Sequence, residues 1–201
     1  MTSAGETRRR ADTRHAILLT ATRLFLVRGY HGFSFQHLAA ELDLRTAAIH
    51  YHFRTKADLG ITLLRRFRDE FDWWRASCDQ LALNGASRLE RFYALDRSYV
   101  AEGRVCPLGV VGVEYAGLPV AVRREADALL DEVHAYLLDS VRAGRDDGSL
   151  TVPGEPTAIA RQILAATQGA LQLSRVQGAA SYEDVLTGLR GLLGVTEAVG
   201  D

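Results

Sequence analysis

Helical periodicity is the feature of this 201-residue chain that most constrains its fold. Near the N-terminus the apolar residues Ile17, Ala21, Leu24 and Phe25 recur at the spacing of one helical face, and such patterns continue to Leu193. No segment alternates apolar and polar residues convincingly as a strand does, and no repeat of 20 to 50 residues is found. The sequence therefore predicts an all-α protein of about nine helices.

Turn and capping residues divide this pattern into two parts. Gly29 ends the first helix, Ser34 caps a short second helix, and Asp43-Leu44 leaves room only for a tight turn before a third helix at 45–53. A long fourth helix follows from Lys56, and five more are predicted at 86–101, 108–116, 119–145, 156–177 and 182–193. We predict a three-helix head, residues 1–55 with a flexible basic arm at 1–12, and a larger helical body, residues 56–201.

Charge is distributed unevenly between the two ends of the chain. Residues 1–68 hold 12 basic and 5 acidic residues, a net charge of +7, while residues 69–201 hold 12 and 20, a net charge of -8. The near-neutral total of -1 hides this polarity. It suggests an electropositive module that meets a polyanion, although an uneven solvated surface is the alternative.

Several classes of protein are excluded by what the sequence lacks. There is no run of 18 apolar residues and no secretory leader, so we expect a cytoplasmic protein with no membrane partner. The two cysteines lack disulfide-framework or zinc spacing, and His50 and His52, two residues apart, point to different sides of a helix. Because phosphate-binding loops, metal clusters and nucleophile motifs are also missing, we predict no enzyme activity, no metal and no cofactor.

The head has the helix-turn-helix arrangement, in which the second short helix enters the major groove of DNA. With Ala48 and Ile49 turned inward, the outward residues of the third helix have side chains that suit phosphates and base edges. The predicted contacts from this helix are Arg45, Thr46, Ala47, His50 and Tyr51. Lys56 begins the fourth helix, where free backbone N–H groups favour an anion; the alternative is an exposed lysine of no consequence.

The pairs Leu24-Phe25 and Gly29-Tyr30, together with the segment 49–56 (Ile-His-Tyr-His-Phe-Arg-Thr-Lys), carry a family resemblance. Residues 10–60 resemble the DNA-binding domain of TetR-type, tetracycline-repressor-like, transcription regulators. The resemblance implies an all-helical homodimer, a palindromic double-stranded operator, and a C-terminal domain whose small-molecule effector releases the DNA. We therefore predict a repressor, with an activator as an alternative.

Three departures from the family pattern fall in the head. Asp43 replaces the usual turn glycine, and aspartate tolerates a left-handed backbone better than most residues. Arg45 replaces the usual Ser or Thr cap, which removes a cap and adds a cation near DNA. His50 replaces a tyrosine, so a phosphate contact there would weaken as rising pH removes the imidazole proton.

Two further features of the head are predicted to contact DNA. Ser34 begins the second helix, and Arg8, Arg9 and Arg10 precede the first helical pattern. The arginines would enter an adjacent minor groove or add non-specific attraction to phosphates.

The body holds aromatic and polar residues that the resemblance places around an effector pocket. The candidates are Trp73, Trp74, Tyr93, Tyr99, Cys106, Tyr115, His134 and Gln168. Plain core packing is the alternative for each aromatic residue. Cys106 precedes a helix whose N-terminus would lower a thiol pKa, so a redox- or electrophile-sensing repressor acting through Cys106 is a second hypothesis; a small buried hydrophobic residue is the alternative.

The last two predicted helices carry apolar stripes that we interpret as a dimer interface, which would form a four-helix bundle with a two-fold mate. The predicted interface residues are Ile163, Ala166, Ala170, Leu171, Leu186, Leu189 and Leu193. The alternative is that these side chains cover the core of their own subunit.

Overall fold

A computed structural model describes residues 3–195 of the chain, with side chains from residue 8 onward. The described chain forms nine α-helices and one 3-10 helix and has no β-strand, which confirms the predicted fold class. The helices are α1 (Ser3–Arg28), α2 (Phe35–Glu41), α3 (Thr46–His52), α4 (Lys56–Asp79), α5 (Gly85–Ala101), α6 (Pro107–Glu114), α7 (Val120–Asp146), α8 (Pro156–Gln177) and α9 (Ala180–Leu193), with the 3-10 helix at Tyr115–Gly117.

Local capping chemistry explains several of these boundaries. The Ser34 hydroxyl accepts a hydrogen bond from the backbone N–H of His37, whose imidazole accepts one from the N–H of Ser34, so α2 begins with a reciprocal capping box. Thr55 and Asp58 make the same pair of bonds at the start of α4. Pro156 occupies the first turn of α8, where its missing N–H costs nothing.

The N-terminal segment corrects one expectation. We expected a flexible arm at 1–12, but α1 begins at Ser3, so Arg8, Arg9 and Arg10 lie in a helix; residues 1 and 2 are outside the described part. Ala, Glu and Arg are good helix formers, and helical propensity continued N-terminal to the apolar pattern on which we based the boundary. The three arginines therefore project from fixed positions on one helix.

The chain packs as two compact units. Within the described residues, the first unit combines 3–67 with 110–127, and the second combines 68–109 with 128–195. Helices α4, α6 and α7 each supply residues to both units. The functional division at residue 55 stays a prediction.

Each unit has its own apolar core. In the first unit Ile17, Leu24, Leu38 and Ile49 have no exposed surface, which fixes α2 and α3 against α1. In the second unit the cores of α5, α8 and α9 include the fully buried residues Ile163 and Leu186 and the nearly fully buried Leu89. No helix in the described chain is both long and apolar enough to cross a membrane.

Candidate DNA-binding surface and effector site

The turn before α3 determines how that helix is presented. Asp43 adopts a left-handed backbone with φ of 52°, and the N–H of Leu44 donates to the carbonyl of Ala39 at 2.9 Å. Arg45 then takes the N-cap position without any side-chain hydrogen bond to the helix. Aspartate therefore serves the turn in place of glycine, and the capping bond is absent, as the sequence suggested.

Helix α3 is anchored by one residue and exposes most of the others. Ile49 is fully buried, whereas Arg45, Ala47 and His50 are exposed and Tyr51 has 62% of its surface exposed. Thr46 is half-buried at the first turn. This face presents a guanidinium, a methyl group, an imidazole and a phenol, which are groups that contact phosphates and base edges.

Arginines of α1 extend the exposed face of α3. The guanidinium of Arg10 lies 4.5 Å from the ring centre of Tyr51, and that of Arg14 lies 5.1 Å from the ring centre of Phe53. Burial, followed by the charges of Arg10 and Arg14, lowers the pKa of His52 and favours its neutral form. Sequence reasoning missed Arg14, although its spacing of four residues from Arg10 places both on one helical face.

His50 and Lys56 are both held by contacts within the first unit. The imidazole of His50 packs edge-on to Phe35, and its Nδ1 lies 3.3 Å from the carbonyl oxygen of Arg54. The ammonium of Lys56 donates to the carbonyl of Phe33 and lies 4.8 Å from the ring centre of Tyr30. Burial lowers the pKa of Lys56, and the charge of Glu114 opposes this shift. Lys56 therefore braces the connection between α1 and α2.

Glu114, at the end of α6, binds the same connection from a distant part of the sequence. Its carboxylate accepts hydrogen bonds from the backbone N–H groups of Tyr30 at 2.5 Å and His31 at 3.0 Å. Gly29 has φ of 80°, and a Cβ atom there would lie 2.8 Å from Oε1 of Glu114, so a side chain at this position would disrupt the contact. We name the Glu114 carboxylate with these two N–H groups the α6 latch. The sequence offers no local signal for a contact across 84 residues.

Part of the predicted effector site is brought together in the second unit. The thiol of Cys106 donates to Oε1 of Gln168 at 3.0 Å and its sulfur accepts from the N–H of Gly109 at 3.3 Å. Burial is the main cause that raises the pKa of the Cys106 thiol to about 12, with a further contribution from the charge of Asp96. These features favour a protonated, unreactive thiol over the thiolate that the sensor hypothesis requires.

Asp96 is a buried acid that sequence reasoning missed. Only 4% of its surface is exposed, and its Oδ2 atom has no hydrogen-bond partner. Burial raises the pKa of Asp96 to about 7, and a hydrogen bond with Tyr182 opposes the rise. A signal was present: the buried positions of α5 include Leu89, Tyr93 and Asp96, so an acid occurs on the apolar face of the helix.

The remaining effector candidates have different surroundings. Trp73 is 76% exposed, so its side chain faces solvent, while Trp74 stacks on Phe71 in an aromatic core with ring centres 5.4 Å apart. Tyr115 belongs to the first unit, where its hydroxyl donates to Asp127 at 2.6 Å. His134 is half-buried on α7, and its Nε2 has no hydrogen-bond partner. Cys106 and Gln168 are hydrogen-bonded to each other, and the charge of Asp96 contributes to raising the pKa of both Tyr93 and Tyr99, so these four are the candidates that the structure groups.

Comparison with known proteins decides the family. The model of bacterial regulatory proteins of the tetR family matches residues 17–60, and the model of the tetracyclin repressor-like C-terminal domain matches residues 85–188, more than half of the chain by itself. The chain belongs to the TetR family. Its members are transcriptional regulators, so the protein is a DNA-binding transcriptional regulator and not an enzyme.

Relatives of this TetR-family protein match over most of its length. The transcriptional repressor DhaR of Mycobacterium sp. (strain GP1) is 23% identical over 169 residues, which cover 84% of this chain and 85% of DhaR. A TetR-family regulator from Agrobacterium tumefaciens superposes with a TM-score of 0.87 at 24% identity, covering 93% of this chain and 99% of that one. AibR, solved with isovaleryl coenzyme A and operator DNA, has a TM-score of 0.73 at 25% identity, with coverages of 91% and 99%.

The dimer residues predicted for this TetR-family chain lie mostly in the interior of the single chain. Ile163, Ala170, Leu171, Leu186, Leu189 and Leu193 are buried within the single chain, and Ala166 is partly buried. This burial agrees with the alternative interpretation, that they cover the core of their own subunit, and their part in a dimer interface stays a prediction. Periodicity identifies the apolar face of a helix but does not tell which surface covers it.

Proposed function

We propose that this TetR-family protein is a homodimeric repressor that binds a palindromic operator through α3 of each subunit and releases it when a small-molecule effector binds. The observation that carries the proposal is the exposed face of α3 with Arg10 stacked on Tyr51. Support also comes from DhaR, a transcriptional repressor, and from AibR, solved with both a small molecule and operator DNA. Such a protein works in the cytoplasm, where the DNA is.

Each residue of the proposed DNA-binding surface has a role set by its chemistry. Arg45 holds a guanine edge, Thr46 bonds a base edge or a phosphate, Ala47 contacts a thymine methyl group, and His50 and Tyr51 bind phosphates. Additional phosphate contacts come from Ser34, Arg8, Arg9 and Arg10, and from the backbone N–H groups at the start of α4 at Lys56, whose ammonium is held by the carbonyl of Phe33. Affinity for DNA should therefore fall steeply as salt concentration rises.

Binding to the DNA upstream of the protein's own gene tests this proposal directly. A gel shift should show saturable binding that outlasts excess unrelated DNA, and a reporter gene under that promoter should be less active when the protein is present. Higher reporter activity in the presence of the protein would show that it is an activator and not a repressor. Failure to prefer any upstream sequence over unrelated DNA would contradict sequence-specific binding altogether.

Arg45→Ala is expected to weaken operator binding by roughly tenfold or more per site, because a bidentate contact to guanine contributes about 1–3 kcal/mol. Fluorescence anisotropy with a labelled operator measures the change. Arg91→Ala removes another exposed arginine, from α5 of the second unit, and is the matched control with unchanged affinity. Equal losses in both variants would indicate a general charge effect and contradict base contact by Arg45.

The dimer surface that we propose uses the exposed faces of α8 and α9. It consists of Ala165, Gly169, Leu173 and Val176 on α8 with Gly188 and Leu192 on α9, all exposed in the single chain. A Cβ atom at Gly169 or Gly188 would meet nothing within 4 Å, so packing inside the subunit does not require glycine there. Because glycine inside a helix costs about 1 kcal/mol relative to alanine, close approach of a second subunit accounts for it.

Gly169→Gln is expected to convert the dimer to a folded monomer at micromolar concentration, since the long side chain separates the two helix pairs. Light scattering after size-exclusion chromatography measures the mass, and circular dichroism checks the helical content. Ala94→Gln, at an exposed position of α5, should remain a dimer. A dimeric Gly169→Gln protein would place the interface elsewhere.

Release of DNA follows if the effector favours a conformation whose two α3 helices no longer match successive major grooves, about 34–36 Å apart. Helix α4 begins with Lys56, directly after the head, and continues into the second unit. A change at the effector site would be transmitted to the head along this helix. Operator affinity measured with and without a bound effector tests this coupling.

A further inference from the structure

Asp96 is a buried acid without a countercharge. None of the ion pairs formed by described residues includes Asp96, and its Oδ2 atom lacks any hydrogen-bond donor. A buried carboxylate is costly unless it is paired, because the protein interior does not replace the water that solvates the charge. Tyr182 is a hydrogen-bond partner of the carboxyl group, so Oδ2 is the oxygen left free to accept from a bound molecule.

The neighbouring arginines do not supply this donor because each is paired with another acid. Arg97 binds Glu183 through two hydrogen bonds of 2.5 and 2.9 Å, and Arg190 binds Glu90 through two of the same lengths. Arg104 pairs with Glu102 at 2.7 Å through one terminal nitrogen, while its buried Nε has no hydrogen-bond partner. Asp96 therefore forms no ion pair, while the three arginines each form one with a glutamate.

Aromatic and polar groups surround the unpaired acid. Tyr93 and Tyr99 lie three residues before and after Asp96 on the same face of α5. The hydroxyl of Tyr182 donates to the carbonyl of Tyr93 at 3.3 Å. Burial, and in addition the charge of Asp96, raises the pKa of Tyr93, Tyr99, Tyr182 and the Cys106 thiol. Tyrosine faces attract cations, and an ammonium group with an aromatic neighbour suits both the rings and the acid.

We propose that Asp96 is the recognition residue for an effector that carries a single ammonium group on an apolar or aromatic body. The inference rests on the proposed function, since it names the class of effector that the second unit binds. The ammonium donates to Oδ2 of Asp96, the tyrosine rings face its alkyl or aryl portion, and the Cys106–Gln168 pair adds polar groups at one side. An anionic effector is disfavoured because it would meet the carboxylate of Asp96 while each neighbouring guanidinium is already paired with an acid.

The preference for an ammonium group is tested with three probes that share a phenyl ring and differ in their polar group. They are phenethylamine, 2-phenylethanol and 3-phenylpropionate. Isothermal titration calorimetry at pH 8 on the full chain should show binding of phenethylamine to the wild type, at least tenfold weaker binding of the alcohol, and no binding of the carboxylate. Asp96→Asn should weaken phenethylamine binding at least tenfold. Asp131→Asn, at an exposed position of α7, should leave it unchanged.

Three outcomes would overturn the proposal: phenethylamine that binds neither protein, phenethylamine that binds Asp96→Asn as tightly as the wild type, or a carboxylate that binds as tightly as the amine. Operator binding is measured in parallel by gel shift. An Asp96→Asn protein that still binds the operator but no longer binds the amine supports both the proposed function and the amine site. A wild type that binds the amine but no operator contradicts the proposed function and leaves the amine site standing.

Discussion

Glu114→Ala is expected to lower the free energy of unfolding by about 2–3 kcal/mol and the melting temperature by roughly 5–10 °C. The α6 latch disappears, and the N–H groups of Tyr30 and His31 lose their charged acceptor. Because these residues lead into α2, the position of α3 becomes less defined, and operator affinity should fall about tenfold. Urea denaturation and fluorescence anisotropy with labelled operator measure the two effects.

Two variants separate the α6 latch from a general loss of charge. Glu114→Gln keeps the size and one carbonyl acceptor, so its stability should lie between those of the wild type and the alanine variant. Glu41→Ala removes a partner of Arg23 in a surface ion pair of the same unit and should change stability by less than about 1 kcal/mol. If Glu114→Ala is as stable as the wild type, the two hydrogen bonds make no net contribution.

Asp96→Asn is expected to stabilise the protein at pH 8 and to have a smaller or opposite effect at pH 5. The unfolded chain releases the Asp96 proton near pH 4, whereas burial keeps it on the folded protein up to about pH 7. Between these values the folded state binds more protons, so wild-type stability falls as the pH rises. The stabilisation that comes from keeping this proton on the folded protein is complete below about pH 4 and is lost above about pH 7. It amounts to on the order of 4 kcal/mol at most.

Melting temperatures of both proteins between pH 4 and pH 8 measure this difference. Subtracting one curve from the other removes the titration of all groups that the two proteins share. Asp131→Asn, at an exposed position of α7, is the control for the loss of one aspartate at the surface. Parallel profiles for Asp96→Asn and the wild type would show that Asp96 titrates as an ordinary aspartate.

The fold of the head was predictable because its signals are local. Ser34, Thr55 and Asp58 cap helices through residues three positions away, and Asp43 adopts the left-handed turn that its short polar side chain permits. The N-terminal boundary was wrong because helical propensity continues past the apolar pattern. Local rules of capping and periodicity thus locate helices more reliably than they locate unstructured ends.

The candidate sites were only partly predictable, since their contacts join distant segments. The exposed face of α3 follows from periodicity within nine residues, but Glu114 and Tyr30 are 84 residues apart and no local pattern connects them. The apolar stripes of α8 and α9 were recognised, yet whether another helix or another subunit covers Leu186 depends on the tertiary fold. Asp96 was visible as an acid on an apolar face, but only its surroundings reveal that it lacks a countercharge.

The two tryptophans differ in their surroundings, so their fluorescence reports different things. They are the only two in the chain, both lie in the second unit, and none lies in the head. Trp73 faces solvent and emits as a hydrated indole in either state of folding, while Trp74, stacked on Phe71, reports the packing around it. Intrinsic fluorescence therefore follows the second unit through Trp74 against a constant background from Trp73, and a tryptophan placed in the head would be needed to follow DNA binding by the same method.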